Sequence, residues 1–501
     1  MLHFVRGIVV ACVGMINLTS AALAQEKAPP IDVIIPNSAL QIPFKSEVPI
    51  VFVTRNQNKA EWEKLPKFWN EGTEMANDPI ANTPVERRII KIKVPLGLAN
   101  APAIPAENPM TLAKWELGKK LYYDKILSTN KTISCASCHD PAKGFTDQLK
   151  TSLGINEQLG GMNAPTVVNS AFNRFQFWDG RGASLEDQAQ GPPQNPIEMF
   201  GGGKGDAWTE AVIRMRAMPE YVKAFELVFG HIPTRDATAK AIAAYERTVL
   251  VGNSIYDRAD LEMRARVTDE ESGKYEFKPI DFEKTLTAAF QAKDANALKS
   301  LGLDVEKDAG KAAEFGKKIA NGRAVYFGKA RCATCHVGDN FTDQGFHNLG
   351  VGVKDGEIEE VDFGRFVRLA TGHKDYSQIG AFKTPGLRGL LDTAPYMHDG
   401  KEKTLEEVVE LYDRGGNANE FLDAKMRDVD SELAYLKAKA EGKEYTGPKP
   451  AMLTRSGKPI IPLALKLTAE EKADLVLFMR ALQGDPVDAT VADPKWFPAV
   501  K

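Results

Sequence analysis

Two copies of one five-residue motif constrain this chain more than any other feature of its sequence. The copies are Cys135-Ala-Ser-Cys138-His139 and Cys332-Ala-Thr-Cys335-His336. This pattern is the attachment signature of c-type haem, in which both thiols bond to the haem vinyl groups and the histidine binds iron. One such motif arises by chance in roughly one chain per thousand of this composition. The pair therefore predicts two covalently bound c-type haems.

Other uses of four cysteines fit the pattern less well. Two disulfides are the first expectation for an exported chain with four cysteines. A redox-active cysteine pair and a four-cysteine zinc site are further alternatives. Neither the redox pair nor the zinc site requires a histidine directly after both cysteine pairs. We therefore expect Cys135, Cys138, Cys332 and Cys335 to hold haem, with His139 and His336 as iron ligands.

The composition is that of a soluble globular protein. Of 501 residues, 43% are hydrophobic and 26% are charged, which excludes disordered, collagen-like and coiled-coil classes. Lys plus Arg number 64 against 67 Asp plus Glu, a net charge of −3. With no basic stripe in the sequence, we expect no nucleic-acid partner. The length allows about two to four domains.

The N-terminus has the pattern of a secretory signal peptide. Arg6 supplies positive charge, an apolar run covers residues 7–16, and Ala22-Leu23-Ala24 resembles a cleavage site. The run is shorter than the about 20 residues of a membrane span, so a retained anchor is the lesser alternative. Cleavage near Ala24 would remove Cys12 and leave a periplasmic protein without a membrane span.

The two haem motifs lie in similar surroundings. Glu116-Leu-Gly-Lys-Lys120 precedes the first motif and Glu314-Phe-Gly-Lys-Lys318 the second, while Phe-Thr-Asp-Gln follows each one, at residues 145–148 and 341–344. Near the C-terminus, Thr468 and acidic residues open a pattern with helical spacing, which predicts a closing helix. The chain is therefore predicted to be mainly α, with two cytochrome c-like haem domains in tandem.

These patterns divide the chain into segments. The predicted segments are a signal peptide (1–24), an N-terminal extension (25–108), a first c-type haem domain (109–265), a helical connector (266–310) and a second c-type haem domain (311–501) with an insertion near 420–460. The extension has strand-like runs and many prolines, so it is either a small β element or an extended arm. Gly201-Gly-Gly-Lys-Gly205 is interpreted as a flexible loop, because no GK[ST] follows and no strand precedes it.

Further motifs follow each haem segment in a fixed order. The first is followed by Asn163-Ala-Pro-Thr, Phe177-Trp-Asp-Gly-Arg181 and the stretch from Gln188 to Glu198; the second by Gly380-Ala-Phe-Lys-Thr-Pro385, Ala394-Pro-Tyr-Met-His-Asp-Gly400 and Thr404-Leu-Glu-Glu. With these motifs, the chain resembles the bacterial di-haem cytochrome c peroxidase and MauG family. The resemblance covers residues 110–265 and 311–415 together with the final helix.

The resemblance implies roles for individual residues. The haem on His139 would bind peroxide, with Glu198 and Gln188 on its distal face, and the haem on His336 would transfer electrons. Trp178 matches a tryptophan between the two haems. Asn163, with the backbone of Thr393 and Pro395, matches a calcium site, and oxygen ligands suit Ca²⁺. His398 and His347 lie in family-like motifs, either near haem propionates or as buried polar residues.

One departure from the peroxidase branch concerns the first haem. Many of these peroxidases carry a histidine in the loop after the first motif, which caps the iron until reduction. Ile155 stands at that position here, and no histidine occurs between residues 140 and 230. We therefore expect an open first haem in the resting ferric protein.

A second departure concerns the ligand opposite His336. Where the peroxidases have a methionine eight residues after the threonine of Thr-Leu-Glu, this chain has Tyr412, as in MauG. A tyrosinate stabilises ferric and higher oxidation states, whereas methionine favours ferrous iron. Met397 is the competing ligand.

The favoured function is a MauG-like oxidoreductase that reacts with hydrogen peroxide and oxidises a protein or an organic substrate. Ala330 occupies the position of the surface tryptophan that MauG uses, so any electron path to a protein partner must run through other residues. The first alternative is a cytochrome c peroxidase that reduces hydrogen peroxide to water with a small redox protein as donor. The second is a non-enzymatic di-haem electron carrier. The sequence specifies neither the substrate nor an oligomeric state.

Overall fold

The computed structural model describes residues 42–202, 205–269 and 274–497, so the predicted signal peptide lies outside the described residues. The helices are α1 (Lys59–Lys64), α2 (Leu112–Tyr123), α3 (Cys135–Cys138), α4 (Leu185–Gln188), α5 (Gly191–Gln194), α6 (Ala207–Arg216), α7 (Pro219–Phe229), α8 (Arg235–Glu246), α9 (Ile255–Asp269), α10 (Pro279–Gln291), α11 (Ala295–Ser300), α12 (Ala312–Phe327), α13 (Leu405–Asp413), α14 (Val429–Ala440), α15 (Ala469–Arg480) and α16 (Ala489–Ala492). The strands are β1 (Ile50–Val53), β2 (Trp69–Asn77), β3 (Pro84–Lys93), β4 (Phe346–His347), β5 (Phe382–Lys383), β6 (Met452–Leu453) and β7 (Pro459–Ile460). The predominance of helix confirms the predicted fold class.

Helix α2 crosses α8 behind the first haem motif. The side chain of Thr111 caps α2 by accepting a hydrogen bond from the backbone of Lys114. At the crossing, a Cβ on Gly118 would overlap the carbonyl oxygen of Ala241, so only glycine allows this approach. Trp115 and Tyr122 of α2 are fully buried in the surrounding hydrophobic cluster, called here the first core.

Helix α12 crosses α15 behind the second motif in the same way. Here a Cβ on Gly322 would overlap the carbonyl oxygen of Asp474. Thr468 and Glu471 form a capping box at the start of α15, where the sequence predicted the closing helix. The hydrophobic cluster around this crossing is called the second core.

The two crossings add detail to the predicted repeat. Gly322 and Tyr326 of α12 have the positions that Gly118 and Tyr122 have in α2. The glycine of Glu314-Phe-Gly-Lys-Lys318, Gly316, contacts the backbone of α10 instead of the closing helix. The glycine at each crossing is therefore fixed by packing.

The N-terminal extension contains a three-stranded sheet with the order β1-β3-β2. Strand β1 pairs with β3 in parallel, with Ile50 opposite Ile90, and β2 pairs with β3 antiparallel, with Trp69 opposite Ile92. These four side chains are buried in the first core. Of the two alternatives for the extension, the described residues therefore form the β element.

Two segments pack in other parts of the molecule than the predicted division of the chain indicates. They are the helical connector (266–310) and the end of the second haem domain. Helices α10 and α11 contribute Phe282, Leu286 and Leu298 to the second core, so this helical segment is part of that core. Residues 488–497, called here the C-terminal strap, follow the closing helix but pack on the first core. Tyr245 of α8 donates a hydrogen bond to the carbonyl of Val491 at 3.0 Å.

The segment between α13 and α15 contains α14 and the short β6–β7 hairpin, in which Met452 lies opposite Ile460. It corresponds to the predicted insertion near 420–460. Within residues 42–202, 205–269 and 274–497, no helix is both long and apolar enough to cross a membrane.

Candidate active site

Both haem motifs open into one cavity of about 630 Å³. The wall includes most of the residues that the sequence singled out: Cys138, His139, Asn163, Trp178, Gln188, Glu198, Cys332, Cys335, His336, Thr393, Pro395, Met397, His347, His398 and Tyr412. Cys135 packs against the first core instead. The structure thus brings the predicted residues of both halves of the chain to one interior space.

The imidazole of His139 is held in a single tautomer. Its Nδ1 lies 3.3 Å from the backbone oxygen of Phe145. A carbonyl can only accept, so Nδ1 carries the proton and Nε2 is left to bind a metal. Burial lowers the pKa of His139, partly offset by the Phe145 carbonyl, which favours the neutral form that ligates iron.

The second motif repeats this geometry. Nδ1 of His336 lies 2.9 Å from the backbone oxygen of Phe341, and burial again lowers the pKa of the imidazole. Tyr122 donates to the carbonyl of His139 at 2.7 Å, and Tyr326 donates to the carbonyl of His336 at 2.9 Å. Both histidines are therefore positioned from equivalent points of α2 and α12.

The thiols beside these histidines suit covalent attachment of haem. All four cysteines are free and half-buried. Burial raises the pKa of the Cys138 thiol to about 11 and that of Cys332 to about 12. Paired thiols, an oriented imidazole and a cavity wall richer in apolar than polar surface fit two c-type haems.

Glu198, predicted to lie on the distal face of the first haem, is in a one-turn π-helix, Pro196–Phe200. Asn195 caps this turn through its side-chain oxygen, and its amide nitrogen donates to Oε1 of Glu198 at 2.7 Å. Burial raises the pKa of the Glu198 carboxyl, and the positive charge of Arg181 partly opposes this. Gln188 reaches the same wall from the last residue of α4.

The loop that lacks the capping histidine supports this turn. Ile155 is buried, and a Cβ on Gly154 would overlap the carbonyl oxygen of Ile197. Gln158 donates through Nε2 to the carbonyl of Pro196 at 3.3 Å. The loop therefore packs beneath Glu198, and its central side chain is an aliphatic one that cannot bind iron.

Trp178 is fixed by contacts to both halves of the chain. Its indole nitrogen donates to the carbonyl of Asn163 at 2.9 Å, and its backbone oxygen accepts from Lys383 at 2.8 Å. Its ring lies edge-on to that of His398, with centroids 6.4 Å apart, and His398 stacks on Phe382 at 3.5 Å. This arrangement suits a bridge between the two halves of the cavity.

Tyr412 lies on the last turn of α13, whose start is capped by Thr404. Burial raises the pKa of its phenol, and the charges of Cys332, Cys335 and Glu402 raise it further. No residue in the described part of the chain forms a hydrogen bond with this hydroxyl. The phenol is thus a polar group without a protein partner on the wall of the cavity.

The competing ligand, Met397, lies in a tight turn with φ +68° and also lines the cavity. Its neighbour His398 accepts, through its backbone oxygen, a hydrogen bond from the backbone of Asn163 at 2.8 Å. Met397 is thereby tied to the Trp178 region of the cavity.

The residues expected to bind calcium all line the cavity. Asn163 donates its side-chain nitrogen to the carbonyl of Leu149 at 2.7 Å, and no described residue donates to its side-chain oxygen. Thr393 uses its hydroxyl to donate to the carbonyl of Leu390 at 3.0 Å. Pro395 follows a cis peptide bond from Ala394. An amide oxygen and two backbone carbonyls are compatible with a hard cation.

Three further residues of this wall were not singled out from the sequence. Asn195 orients Glu198, Arg181 stacks on Phe177 at 3.6 Å, and Lys383 is buried with no partner for its amine among the described residues. All three lie within motifs that the sequence analysis recognised. The cap position of Asn195, three residues before Glu198, is the one signal that sequence reasoning could have used.

His347 is held between two carboxylates, with Nδ1 2.7 Å from Asp423 and Nε2 2.9 Å from Asp343. Burial lowers the pKa of His347, but hydrogen bonds to Asp423, Cys335 and Asp343 outweigh burial and raise it to about 10. Cys335, Asp343 and His347 are close enough to hold a metal ion. Because Cys335 belongs to a haem motif, we assign the cluster to the surroundings of the second haem.

Comparisons with known proteins agree with this site. The family model for di-haem cytochrome c peroxidase matches residues 112–265. The methylamine utilization protein MauG of Methylorubrum extorquens is 32% identical over 64% of this chain and 75% of its own length. The chain belongs to the di-haem cytochrome c peroxidase and MauG family.

Other members of the family align over similar parts of the chain. The cytochrome c peroxidase Ccp of Escherichia coli is 34% identical over 66% of this chain, and the match spans 59% of that protein. A crystal structure of a MauG-like protein associated with microbial copper homeostasis is 27% identical, with a TM-score of 0.53, and the match covers 79% of this chain and 97% of that one. As a family member, the chain is a di-haem oxidoreductase with two c-type haems.

Proposed function

We propose that this protein is a periplasmic, MauG-like oxidoreductase that reacts with hydrogen peroxide beside His139 and stores oxidising equivalents at a second haem ligated by His336 and Tyr412. The substrate would be a protein side chain or an organic molecule. The observation that carries this proposal is the unpartnered phenol of Tyr412 on the cavity wall. The N-terminal signal pattern supports export.

The position of Tyr412 favours it over Met397 as the second ligand. Cys332 and Cys335 are near enough to affect the pKa of its phenol, so the hydroxyl lies on the side of the cavity that belongs to the second motif. When bound, haem supplies the iron that accepts a phenolate and is thereby stabilised in ferric and higher states. The phenolate also disfavours the ferrous state, and an ordinary electron-transfer haem needs that state to be readily reached.

Glu198 is proposed as the base for the peroxide reaction. A carboxylate on this wall can take the proton from hydrogen peroxide and return it to the departing oxygen. Asn195 holds Oε1 at 2.7 Å and thereby fixes the direction of the free oxygen, Oε2. Gln188, on the same wall, can orient the peroxide through its amide.

Trp178 is proposed as the bridge between the two haems. Its indole hydrogen bond to Asn163 and its edge contact with His398 fix the ring in one orientation. Asn163, Thr393 and Pro395 are proposed to bind a calcium ion next to this bridge. The ion would stabilise the junction at which segments from both halves of the chain meet.

A cytochrome c peroxidase with a small redox-protein donor is the second candidate. It is favoured by the 34% identity to the Escherichia coli peroxidase, and Glu198 and Gln188 would serve it equally well. Rapid turnover of hydrogen peroxide with a reduced cytochrome as donor would support this candidate over the MauG-like one.

The substitution Tyr412→Met tests the proposal. We expect a higher reduction potential and ready reduction of the second haem, because a thioether replaces the phenolate. The control is Tyr396→Phe, since Tyr396 also lines the cavity but donates to the carbonyl of Leu390 at 3.2 Å. An unchanged potential and spectrum in Tyr412→Met, with a change in Met397→Leu, would assign the ligand to Met397.

A further inference from the structure

A chain of contacting aromatic rings leads from the His139 side of the cavity to the protein surface. Tyr122, which donates to the backbone of His139, has its ring centroid 4.9 Å from that of Tyr245. Tyr245 lies 5.9 Å from Trp115, and Trp115 lies 6.2 Å from Trp496. Each separation is within the range of packed aromatic pairs.

The inner part of this chain is sealed from water and its outer end is not. Tyr122, Tyr245 and Trp115 are fully buried in the first core. Trp496 belongs to the C-terminal strap and is half-buried, beside Phe497, which is 43% exposed. The rings therefore connect the surroundings of the first haem with one defined surface.

The second core provides an internal comparison. Tyr326 donates to the carbonyl of His336 as Tyr122 does to His139, and it packs against Phe478 at 5.1 Å. Phe478 occupies the position equivalent to Tyr245. Tyr245 lies four residues after Ala241, which meets Gly118, and Phe478 lies four residues after Asp474, which meets Gly322. Ile319, three residues before Gly322, has the place of Trp115. Phenylalanine and isoleucine do not give up electrons as tyrosine and tryptophan do, so the residues at these two positions of the second core do not continue an oxidisable chain from Tyr326.

We propose that the indoles of Trp115 and Trp496, bridged to His139 by Tyr245 and Tyr122, form a second electron route between the first haem and a small phenol at the C-terminal strap. The route rests on the proposed function, because hydrogen peroxide is its oxidant. It would reduce the first haem independently of Trp178 and of the second haem.

The electron and proton balance of this route is simple. In each step one electron passes inward from Trp496, and its ring nitrogen releases a proton to water. The phenol then returns one electron and one proton to Trp496 and becomes a phenoxyl radical. Two such steps, with two protons taken up from water at the haem, reduce one hydrogen peroxide to two water molecules.

Lys119 positions the outer end of the route. Its amine donates to the carbonyls of Thr490 and Trp496, each at 2.8 Å, and so fixes the strap on the first core. It also lies 5.1 Å from the ring centroid of Trp115 and 5.5 Å from that of Trp496. Because a positive charge opposes a cation on either ring, oxidised Trp496 is expected to be a neutral, deprotonated radical.

The two phenols serve as bridges rather than as sites of lasting oxidation. Tyr122 and Tyr245 donate to the carbonyls of His139 and Val491, and a carbonyl cannot take up the proton that an oxidised phenol must release.

The test treats the protein carrying both haems with one equivalent of hydrogen peroxide in the absence of a donor. Rapid-freeze electron paramagnetic resonance should show a neutral tryptophan radical, and peptide mass spectrometry should find oxygenated Trp496. Both signals should be lost in Trp496→Phe and in Trp115→Phe, whose haem spectra report correct folding. Turnover of a small phenol should fall in the same two variants.

The matched control is Trp62→Phe. Trp62 is also half-buried, but its indole donates to the carbonyl of Val94 at 2.7 Å and it contacts none of the four rings. A tryptophan radical unchanged in Trp115→Phe and Trp496→Phe, or equal oxygenation of Trp62 and Trp496, would overturn the route. Haems that do not react with hydrogen peroxide would overturn the proposed function as well, whereas haems that react without oxidising Trp496 would overturn the route alone.

Discussion

At the scale of single residues, the site depends on side chains whose polar atoms are directed by one neighbour each. Asn195 holds Glu198 and the carbonyls of Phe145 and Phe341 hold the two histidines, whereas the Tyr412 hydroxyl has no hydrogen-bond partner among the residues that the structure describes. The sequence motifs contain all of the proposed ligands and the proposed base, Glu198. They did not show which polar atoms lack partners, because that depends on how α13 and the Pro196–Phe200 turn pack.

Replacing Glu198 with Gln should lower the rate of the peroxide reaction by about 10²–10⁴-fold, the usual contribution of a general base, while both haems stay bound. Stopped-flow absorbance after mixing with hydrogen peroxide measures this rate. Glu210→Gln, on the neighbouring helix α6, is the control. A wild-type rate in Glu198→Gln would exclude the carboxylate as base.

The carboxylate of Glu198 should also make the rate of the peroxide reaction depend on pH. Burial raises the pKa of Glu198 above its usual value, and a base must be ionised to act. The rate of the peroxide reaction should therefore rise with pH through this raised pKa and fall as Glu198 is protonated. Loss of that rising limb in Glu198→Gln would assign it to Glu198, and its persistence would assign it to another group.

At the scale of helices and strands, two glycines set the geometry of the molecule. Gly118 and Gly322 let α2 and α12 approach the carbonyls of their closing helices, and this places Tyr122 and Tyr326 against the haem histidines. Sequence similarity found both helices but did not show which glycine lies at each crossing. A periodic pattern marks a helix, whereas the crossing point is decided by contacts with residues more than 120 positions away.

Gly322→Ala should destabilise the protein by about 1–3 kcal/mol, because the new methyl group meets the carbonyl of Asp474 in a packed crossing. Gly310→Ala is the control, since a Cβ there has nothing within 4 Å. Chemical unfolding followed by circular dichroism compares the two. Equal stability of both variants would show that α12 and α15 do not cross at Gly322.

At the scale of the whole molecule, three parts of the chain that are distant in sequence meet at one buried ion pair. Arg388 and Asp257, each with a side chain 2% exposed, pair at 2.6 Å, and Arg388 also donates to the carbonyl of Gly97. The pair joins the N-terminal extension, α9 and the segment after the second haem motif. Neither this junction nor the return of the C-terminal strap to the first core has a local sequence signal, so neither was predicted.

Asp257→Ala should cost about 3–5 kcal/mol of stability, because it leaves the Arg388 charge buried without its partner. The control pair is Lys293 and Glu306, whose side chains are 73% and 74% exposed. Glu306→Ala should therefore change stability by no more than about 1 kcal/mol. Thermal unfolding of the two variants tests this difference, and similar losses in both would contradict a buried junction.

The most direct test of the whole account is electron paramagnetic resonance of the resting ferric protein. An open iron beside His139 and a tyrosinate-ligated iron beside His336 predict one high-spin and one low-spin haem. Two low-spin haems would show that a protein side chain closes the first iron, and the proposed peroxide chemistry would then have no site.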